Sequence, residues 1–479
     1  MATYLGIDLG TSATKTVLVD GAGRVLARGR ADHRPAHRQA RGRVDTAEWA
    51  RSVRLACHDL GDATRADAVG LAVHCPVAIP LDDAGEAVAP GLCWDHPALP
   101  DLVEAYAKAR GDEAAALVGN AAFPATAMGL AWRFFAEHEP ETLARTRTMG
   151  FVGTWLGHRL TGRDAIDPTQ ASYSGLFACT DGCDWIDDLA ALVGVPRHVL
   201  PPVVPSLSPL GTLLPEAAAE LGLRPGIPVV TGAADTAAAA CLLDIHGSRA
   251  PLYTVGTTHV VTRSSAVPDR APRVLQRADV RPGRWLWHSA TNGGVALSVA
   301  ARLLGYGDAV EELIARAGAA TIAQAEAAPV FIPHVTPERG PLWLERPRTA
   351  LLGYLPDTDA WSAAWGAVEG VAFAVRLMLG DSDHVVMVGS LDYAGIVADL
   401  FGRPVHLVEE TYLPAMGAAA MAAEGTDGVI LPAPPYRRID PRPEWAHVVA
   451  ARWESYGETW GRIVGRPAPT APPMSEESR

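Results

Sequence analysis

The sequence predicts an α/β protein of two domains, and three observations carry that prediction. Its 479 residues exceed what a single hydrophobic core organises. Strand-like and helix-like patterns alternate along the first half, as they do in an α/β sheet. A strand, a Gly-Thr turn and a return strand open the chain, and the same theme recurs near residue 252. The echo suggests a duplication, with domains expected at 1–245 and 246–464 and a disordered tail at 465–479.

Taken in order, Tyr4-Leu5-Gly6-Ile7-Asp8-Leu9 reads as a period-two strand, Gly10-Thr11-Ser12 as a turn, and Thr16-Val17-Leu18-Val19 as the return. Asp20-Gly21-Ala22-Gly23 joins two strands. No helix follows it, so it is not a dinucleotide fingerprint. Glu216–Leu221 is one of several Ala-rich amphipathic stretches. Val229-Val230-Thr231 ends a strand and a helix starts near Thr236, which puts Asp235 at a helix N-terminus. The positive end of the helix dipole keeps a carboxylate ionised there and able to accept a proton. The simpler use of such an Asp is an N-cap.

Leu252-Tyr253-Thr254-Val255, Gly256-Thr257-Thr258 and His259-Val260-Val261-Thr262 form the second hairpin. Asn292-Gly293-Gly294 opens a helix, and a Pro- and Gly-punctuated loop follows at 329–341. A strong helix is expected from about Trp361 to Leu379, a buried strand at Val385–Val388, and an amphipathic terminal helix at Glu444–Ile463 after the Pro-rich loop 432–443.

Composition narrows the function. Apolar residues at 48% and charged residues at 20% are ordinary for a globular chain, which argues against disorder or a fibrous repeat. The net charge of −13 disfavours a nucleic-acid surface. No apolar run approaches a membrane span, and the first residues lead into a strand instead of a signal peptide, so a cytoplasmic protein with no membrane partner is expected. The six cysteines are irregularly spaced, as reduced thiols are. Cys179 and Cys183 lie four apart without a second pair to complete a zinc site.

A Gly-Thr turn between strands exposes backbone N–H groups and hydroxyls that can cradle phosphate oxygens without a P-loop, and no P-loop sequence occurs. Two such turns, with Asp235 shortly before the second, point to nucleotide phosphates held between two lobes.

Ile7-Asp8-Leu9-Gly10-Thr11-Ser12-Ala13-Thr14-Lys15, Gly232-Ala233-Ala234-Asp235, Gly256-Thr257-Thr258 and Glu369-Gly370-Val371-Ala372-Phe373 resemble the FGGY carbohydrate kinases of the actin–hexokinase superfamily. Trp94-Asp95, Gly119-Asn120, Glu338-Arg339 with Pro341, Ala398-Asp399 and Met416-Gly417-Ala418-Ala419 extend the match from residue 4 to nearly the end, within a xylulokinase-like branch. The resemblance implies two actin/hexokinase-like (ribonuclease H-like) domains with a cleft between them. It implies an enzyme that uses ATP and Mg²⁺ to phosphorylate a hydroxyl of a ketose, such as xylulose or ribulose, or a related polyol. By the same resemblance Asp235 is the base and Asp8 orients Mg²⁺ through water. Thr11, Ser12, Lys15 and Thr257 meet the ATP phosphates, with Gly294, Gly389 and Ser390 also on the nucleotide side. His74, Cys75, Trp94, Asp95 and Thr236, with Asp235, line the acceptor site. A homodimer is a family habit.

The chain departs from that pattern at several places. His74-Cys75-Pro76 stands where the branch has Gln-Met-His, Gly129 where it has Lys, and Thr236 where it has Asn, so the hydroxyl pattern read differs from that of xylulose. Val388-Gly389-Ser390-Leu391-Asp392-Tyr393 replaces a Gly-Gly-Gly-Ala-x-Ser loop and is shorter, which alters how closely the backbone approaches a nucleotide. Other readings are a lapsed kinase acting as a sugar or nucleotide sensor, a kinase for a cyclitol or other unusual sugar, and a chaperone-like or cytoskeletal ATPase. Trp94-Asp95 and the Glu369–Phe373 helix argue against the last. Lys15 also reads as a snorkelling strand lysine, and Glu338-Arg339 as a loop ion pair outside the site.

Overall fold

The computed structural model describes residues 2–35, 42–61, 65–181, 184–271 and 275–468. Most of the expected tail, and Cys183, lie outside the described residues. The chain forms two compact units, each assembled from three segments. The first comprises Met1–Asp244, Ala266–Leu286 and Thr411–Ala433; the second comprises Ile245–Ser265, Trp287–Glu410 and Pro434–Arg479.

In the first unit the main sheet runs Val25–Asp32, Ala13–Asp20, Thr3–Leu9, Ala68–Val73, Pro228–Val230, Pro209–Thr212, and Ala233–Ala234 also pairs with Ala68–Val73. Thr3–Leu9 is antiparallel to Ala13–Asp20 and parallel to Ala68–Val73. The opening strand was expected to alternate, yet all of its residues are buried. The reason is the Ala-rich helix Leu413–Asp427, contributed by the third segment, which covers the face that alternation would leave to water. The covering helix lies almost on the sheet backbone: a Cβ on Gly6 would sit 1.8 Å from the Ala415 carbonyl oxygen. Met416-Gly417-Ala418-Ala419 therefore serves as a small-residue contact surface. Gly6→Ala is expected to force strand and helix apart and to destabilise the protein by about 1–3 kcal/mol, read as a lower urea midpoint.

A smaller sheet of Arg43–Val44, Gly91–Cys93, Val77–Leu81 and Thr148–Phe151 packs in the same unit. It fixes where the chain leaves for Pro76 at one strand start and Trp94 at another strand end.

The second unit repeats the theme. Leu252–Thr254 pairs antiparallel with His259–Ser265 and parallel with Val385–Val388, which in turn pairs parallel with Val405–Val408. Its core is organised by helix Ala360–Leu379, long and apolar enough to cross a membrane by length and composition, which corrects the expectation that no apolar run approaches a membrane span. Nearly all of that helix is buried inside the unit, and its one acid is paired. Glu369 accepts from Arg452 Nε at 2.7 Å and from Trp365 Nε1 at 2.9 Å, while a Cβ on Gly370 would meet the Phe331 carbonyl oxygen at 2.1 Å. The Glu-Gly motif is thus an internal ion pair beside a close helix–strand contact. Asp399 likewise holds the Arg442 guanidinium at 2.7 Å.

Candidate functional site

Three neighbouring chain ends build the site of the first unit. Thr3–Leu9 and Ala68–Val73 run parallel, and Ala233 and Ala234 pair with Ala72 and Val73, so Leu9, Val73 and Ala234 end on the same edge of the sheet. Carboxyl ends of parallel strands are where open α/β sheets present ligand-binding groups. Asp8, His74 and Asp235 are consequently placed together.

Asp235 is the first residue of helix Asp235–Leu242, whose N-cap is Ala234. The helix was expected to begin near Thr236. It begins at Asp235, in line with that expectation, and the Ala234 N–H just before it donates to Thr169 Oγ1 at 2.8 Å, an acceptor remote in sequence. Asp235 is therefore not the N-cap. Its Oδ1 accepts from the Thr236 N–H at 2.6 Å and from the Thr236 hydroxyl at 3.0 Å, and the side chain is half-buried. The Thr169 hydroxyl donates in turn to Asp167, the N-cap of Pro168–Ala171. Sequence reasoning missed this support, although Asp-Pro at a helix start was a legible signal.

Asp8 is buried, and its Oδ1 has no hydrogen-bond partner among the described residues. Burial first, and the Asp235 charge second, push its carboxyl up to about 8, against the opposing pull of Lys15. Among the described residues no cluster of three or more acidic, His or Cys side chains could hold a metal alone. A lone, unsatisfied carboxylate suits Mg²⁺, which keeps several waters and shares its remaining positions with phosphate oxygens.

A pH dependence follows from the Asp8 carboxyl. Raised in the folded state, it retains a proton that the unfolded chain has released, so stability falls as pH rises from about 3.8 to about 8, and the loss is complete above that. Asp8→Asn removes this titration. Without ligands, the variant is expected to gain stability over wild type progressively as pH rises from about 4 to about 8 and to keep that gain above it, measured by chemical denaturation.

The Gly10 N–H closes its turn on the Ala13 carbonyl at 3.1 Å, and His33 holds the Thr11 and Ser12 carbonyls, leaving both residues exposed. Lys15 donates to the Thr411 carbonyl at 2.7 Å and lies over the Tyr412 ring. His74 is buried, with Nδ1 2.9 Å from the Leu9 carbonyl. Thr11, His74, Cys75 and Trp94 share a cavity of about 50 Å³. Burial pushes the Cys75 thiol up to about 12, with Arg277 opposing. Asp95 is exposed beside Trp94.

The second unit gathers the other group. Gly256-Thr257-Thr258 is exposed between its two strands, and helix Gly293–Leu303 begins against it. A Cβ on Gly294 would lie 2.2 Å from the Gly256 carbonyl oxygen, so only glycine allows this approach. Val255 N–H donates to the Val388 carbonyl at 3.0 Å, which brings Gly389 beside the same turn; Ser390 is the N-cap of Leu391–Phe401. Two helix N-termini thus start near one Gly-Thr turn, a set of N–H donors suited to anions. Glu338 is more than a loop charge: it accepts from Thr291 Oγ1 at 3.0 Å and from the Asn292 N–H at 3.1 Å, fixing the cap of the Gly294 helix.

Residues 3–241 match the N-terminal domain of the FGGY family of carbohydrate kinases. The xylulose kinase of Streptomyces rubiginosus is 30% identical over 442 residues, covering 88% of this chain and 87% of that protein. The xylulose kinase of Streptomyces coelicolor is 30% identical over 445 residues, with the same coverage. Among solved structures, a xyloylose kinase from Brucella ovis has a TM-score of 0.86 at 23% identity, covering 97% of this chain and 99% of that one. A xylulose kinase from Rhodospirillum rubrum gives 0.82 at 23% identity, over 96% and 99%. The likeness in structure confirms the two-domain fold expected from the sequence. With its motifs in order and relatives at this identity over most of its length, the chain belongs to the FGGY family of carbohydrate kinases.

Proposed function

We propose that this ATP-dependent carbohydrate kinase transfers the γ-phosphoryl group to a hydroxyl of a ketose or a related polyol, with pentuloses such as xylulose and ribulose the first acceptors to test. The observation that carries the reading is the pairing of Asp8 and Asp235 at adjoining strand ends, one carboxyl buried and unsatisfied, the other half-buried at a helix start. The names of the xylulose kinases it resembles support the acceptor class.

In this reading Asp235 takes the proton from the attacking hydroxyl. The hydroxyl oxygen bonds to the γ-phosphorus, the bond to the bridging oxygen breaks, and ADP leaves. Asp8 would hold Mg²⁺, through water, and the metal would supply charge neutralisation to the phosphates. Thr11, Ser12 and Lys15 from residues 1–245, and Thr257, Gly294, Gly389 and Ser390 from 246–464, bind the nucleotide. For Lys15 this requires the ammonium to leave the Thr411 carbonyl. His74, Cys75, Trp94, Asp95 and Thr236 orient the acceptor. Such transfer rests on positioning and charge stabilisation, since phosphoryl chemistry makes small covalent demands on a protein.

A cytoplasmic place, a homodimeric assembly and the lack of nucleic-acid or membrane partners complete the reading; sedimentation velocity decides the assembly. The test of function is a Mg²⁺-dependent ADP-release screen over ketoses, polyols, sugar acids and cyclitols. Acceptor-dependent release is expected. Melting shifts with ligand but no release would favour the sensor.

A further inference from the structure

Arg277 occupies the short strand Gln276–Ala278, in the segment that returns to the first unit. The strand is pinned on both flanks. Asn120 Nδ2 donates to the Gln276 carbonyl at 2.8 Å, and the Ala278 N–H donates to Ser172 Oγ at 2.9 Å. Ser172 ends the same helix whose Thr169 fixes Ala234, so the strand shares a support with Asp235.

The Arg277 side chain is 5% exposed and stacks over the Tyr173 ring, 4.2 Å from its centroid. Its Nε and Nη1 have no hydrogen-bond acceptor among the described residues. The Tyr173 hydroxyl is the partner of the rest of the guanidinium, and its charge is also felt at Cys75 and at Asp235. The nearby carboxylates are engaged otherwise: Asp235 with Thr236, and Asp167 with Thr169 and Gln170. Cys75 is a neutral thiol, since burial pushes it up to about 12. A guanidinium buried with unmet N–H groups is destabilising unless a partner arrives, and its rigid planar donors match an oxyanion.

We propose that Arg277 binds a carboxylate of the acceptor, so that the enzyme takes an acidic polyol of the aldonate class in preference to the neutral polyol of the same length. The proposal rests on the reading of Asp235 as the base that receives the hydroxyl proton. It also explains orientation. An aldonate has an acid at one end and a primary alcohol at the other, and the Asp235 carboxylate repels the acid end while Arg277 attracts it. The alcohol end is left at Asp235, and the products are ADP and a phosphorylated aldonate whose carboxylate is unchanged.

The test pairs D-xylonate with xylitol and D-gluconate with D-glucitol, by calorimetric titration without nucleotide and by Mg²⁺-dependent ADP release, for wild type, Arg277→Met and Arg277→Lys. Wild type is expected to bind at least one acid more than about 30-fold more tightly than its neutral partner, a preference of the size a charged hydrogen-bonded pair provides. Arg277→Met should abolish that preference while leaving neutral-polyol affinity nearly unchanged, and Arg277→Lys should restore part of it. The wild-type comparison stands even if a variant fails to fold. Equal or weaker binding of the acids by wild type would overturn the proposal. So would an Arg277→Met that lowers kcat with neutral acceptors alone, which would assign the guanidinium to the transferring phosphoryl group. Release with neutral acceptors only removes this proposal and leaves the kinase reading standing; Arg277-dependent acid binding with no release by any acceptor does the reverse.

Discussion

Asp235→Asn is expected to lower turnover by about 10²–10⁴-fold, on the order of 3–5 kcal/mol of transition-state stabilisation, while the protein folds normally. The amide is close in shape to the acid. It can still accept from the Thr236 N–H and hydroxyl, so the start of helix Asp235–Leu242 is kept. What it loses is the ability to take a proton and the negative charge beside Asp8. The second loss has its own readout: without the Asp235 charge, the Asp8 carboxyl should titrate lower than the value of about 8 that it has in wild type. Turnover is read by coupled ADP release at saturating acceptor, and folding by a melting temperature near that of wild type. Retained turnover would remove Asp235 as the base, whatever its position at the strand ends suggests.

Glu369→Ala is expected to destabilise the protein by about 3–5 kcal/mol, because it leaves the Arg452 guanidinium buried without its carboxylate. The guanidinium keeps its bond to the Ala328 carbonyl at 2.9 Å, but a neutral carbonyl does not balance the charge. Burial raises the Glu369 carboxyl above its usual range, and the Arg452 guanidinium first, then Trp365, oppose it. Urea denaturation measures the loss. The double variant Glu369→Ala with Arg452→Met should recover part of it, since removing both charges ends the imbalance. If the single variant unfolds at the wild-type urea midpoint, the ion pair is not what secures helix Ala360–Leu379.

These two residues show how far the sequence could be read. Both sit in motifs that carry the family resemblance, yet one belongs to the proposed chemistry and the other to the core. Periodicity could not separate them, because the partner of Glu369 lies on the terminal helix, far along the chain. Local signals fared well where the structure is local. Val385–Val388 is a strand with those ends, Asn292 caps the helix at Gly293, and both Gly-Thr turns join paired strands. They fared less well where a distant segment decides. The opening strand loses its alternation to a helix more than 400 residues later, the residue before Asp235 is held by Thr169 from a distant helix, and Arg277 gains its surroundings only because its segment folds back into the first unit. A single arginine between two loops gave no such sign in the sequence.

The central claim is phosphoryl transfer from ATP to a bound hydroxyl with Asp235 as base. It is tested most directly by measuring, in one Mg²⁺-containing reaction, the ADP released and the phosphorylated acceptor formed, for wild type and Asp235→Asn. The account predicts equal amounts of the two products in wild type, no more than slow hydrolysis without acceptor, and a collapse of both in the variant while acceptor still binds. ADP released without a matching phosphorylated product, or transfer undiminished in Asp235→Asn, would contradict it.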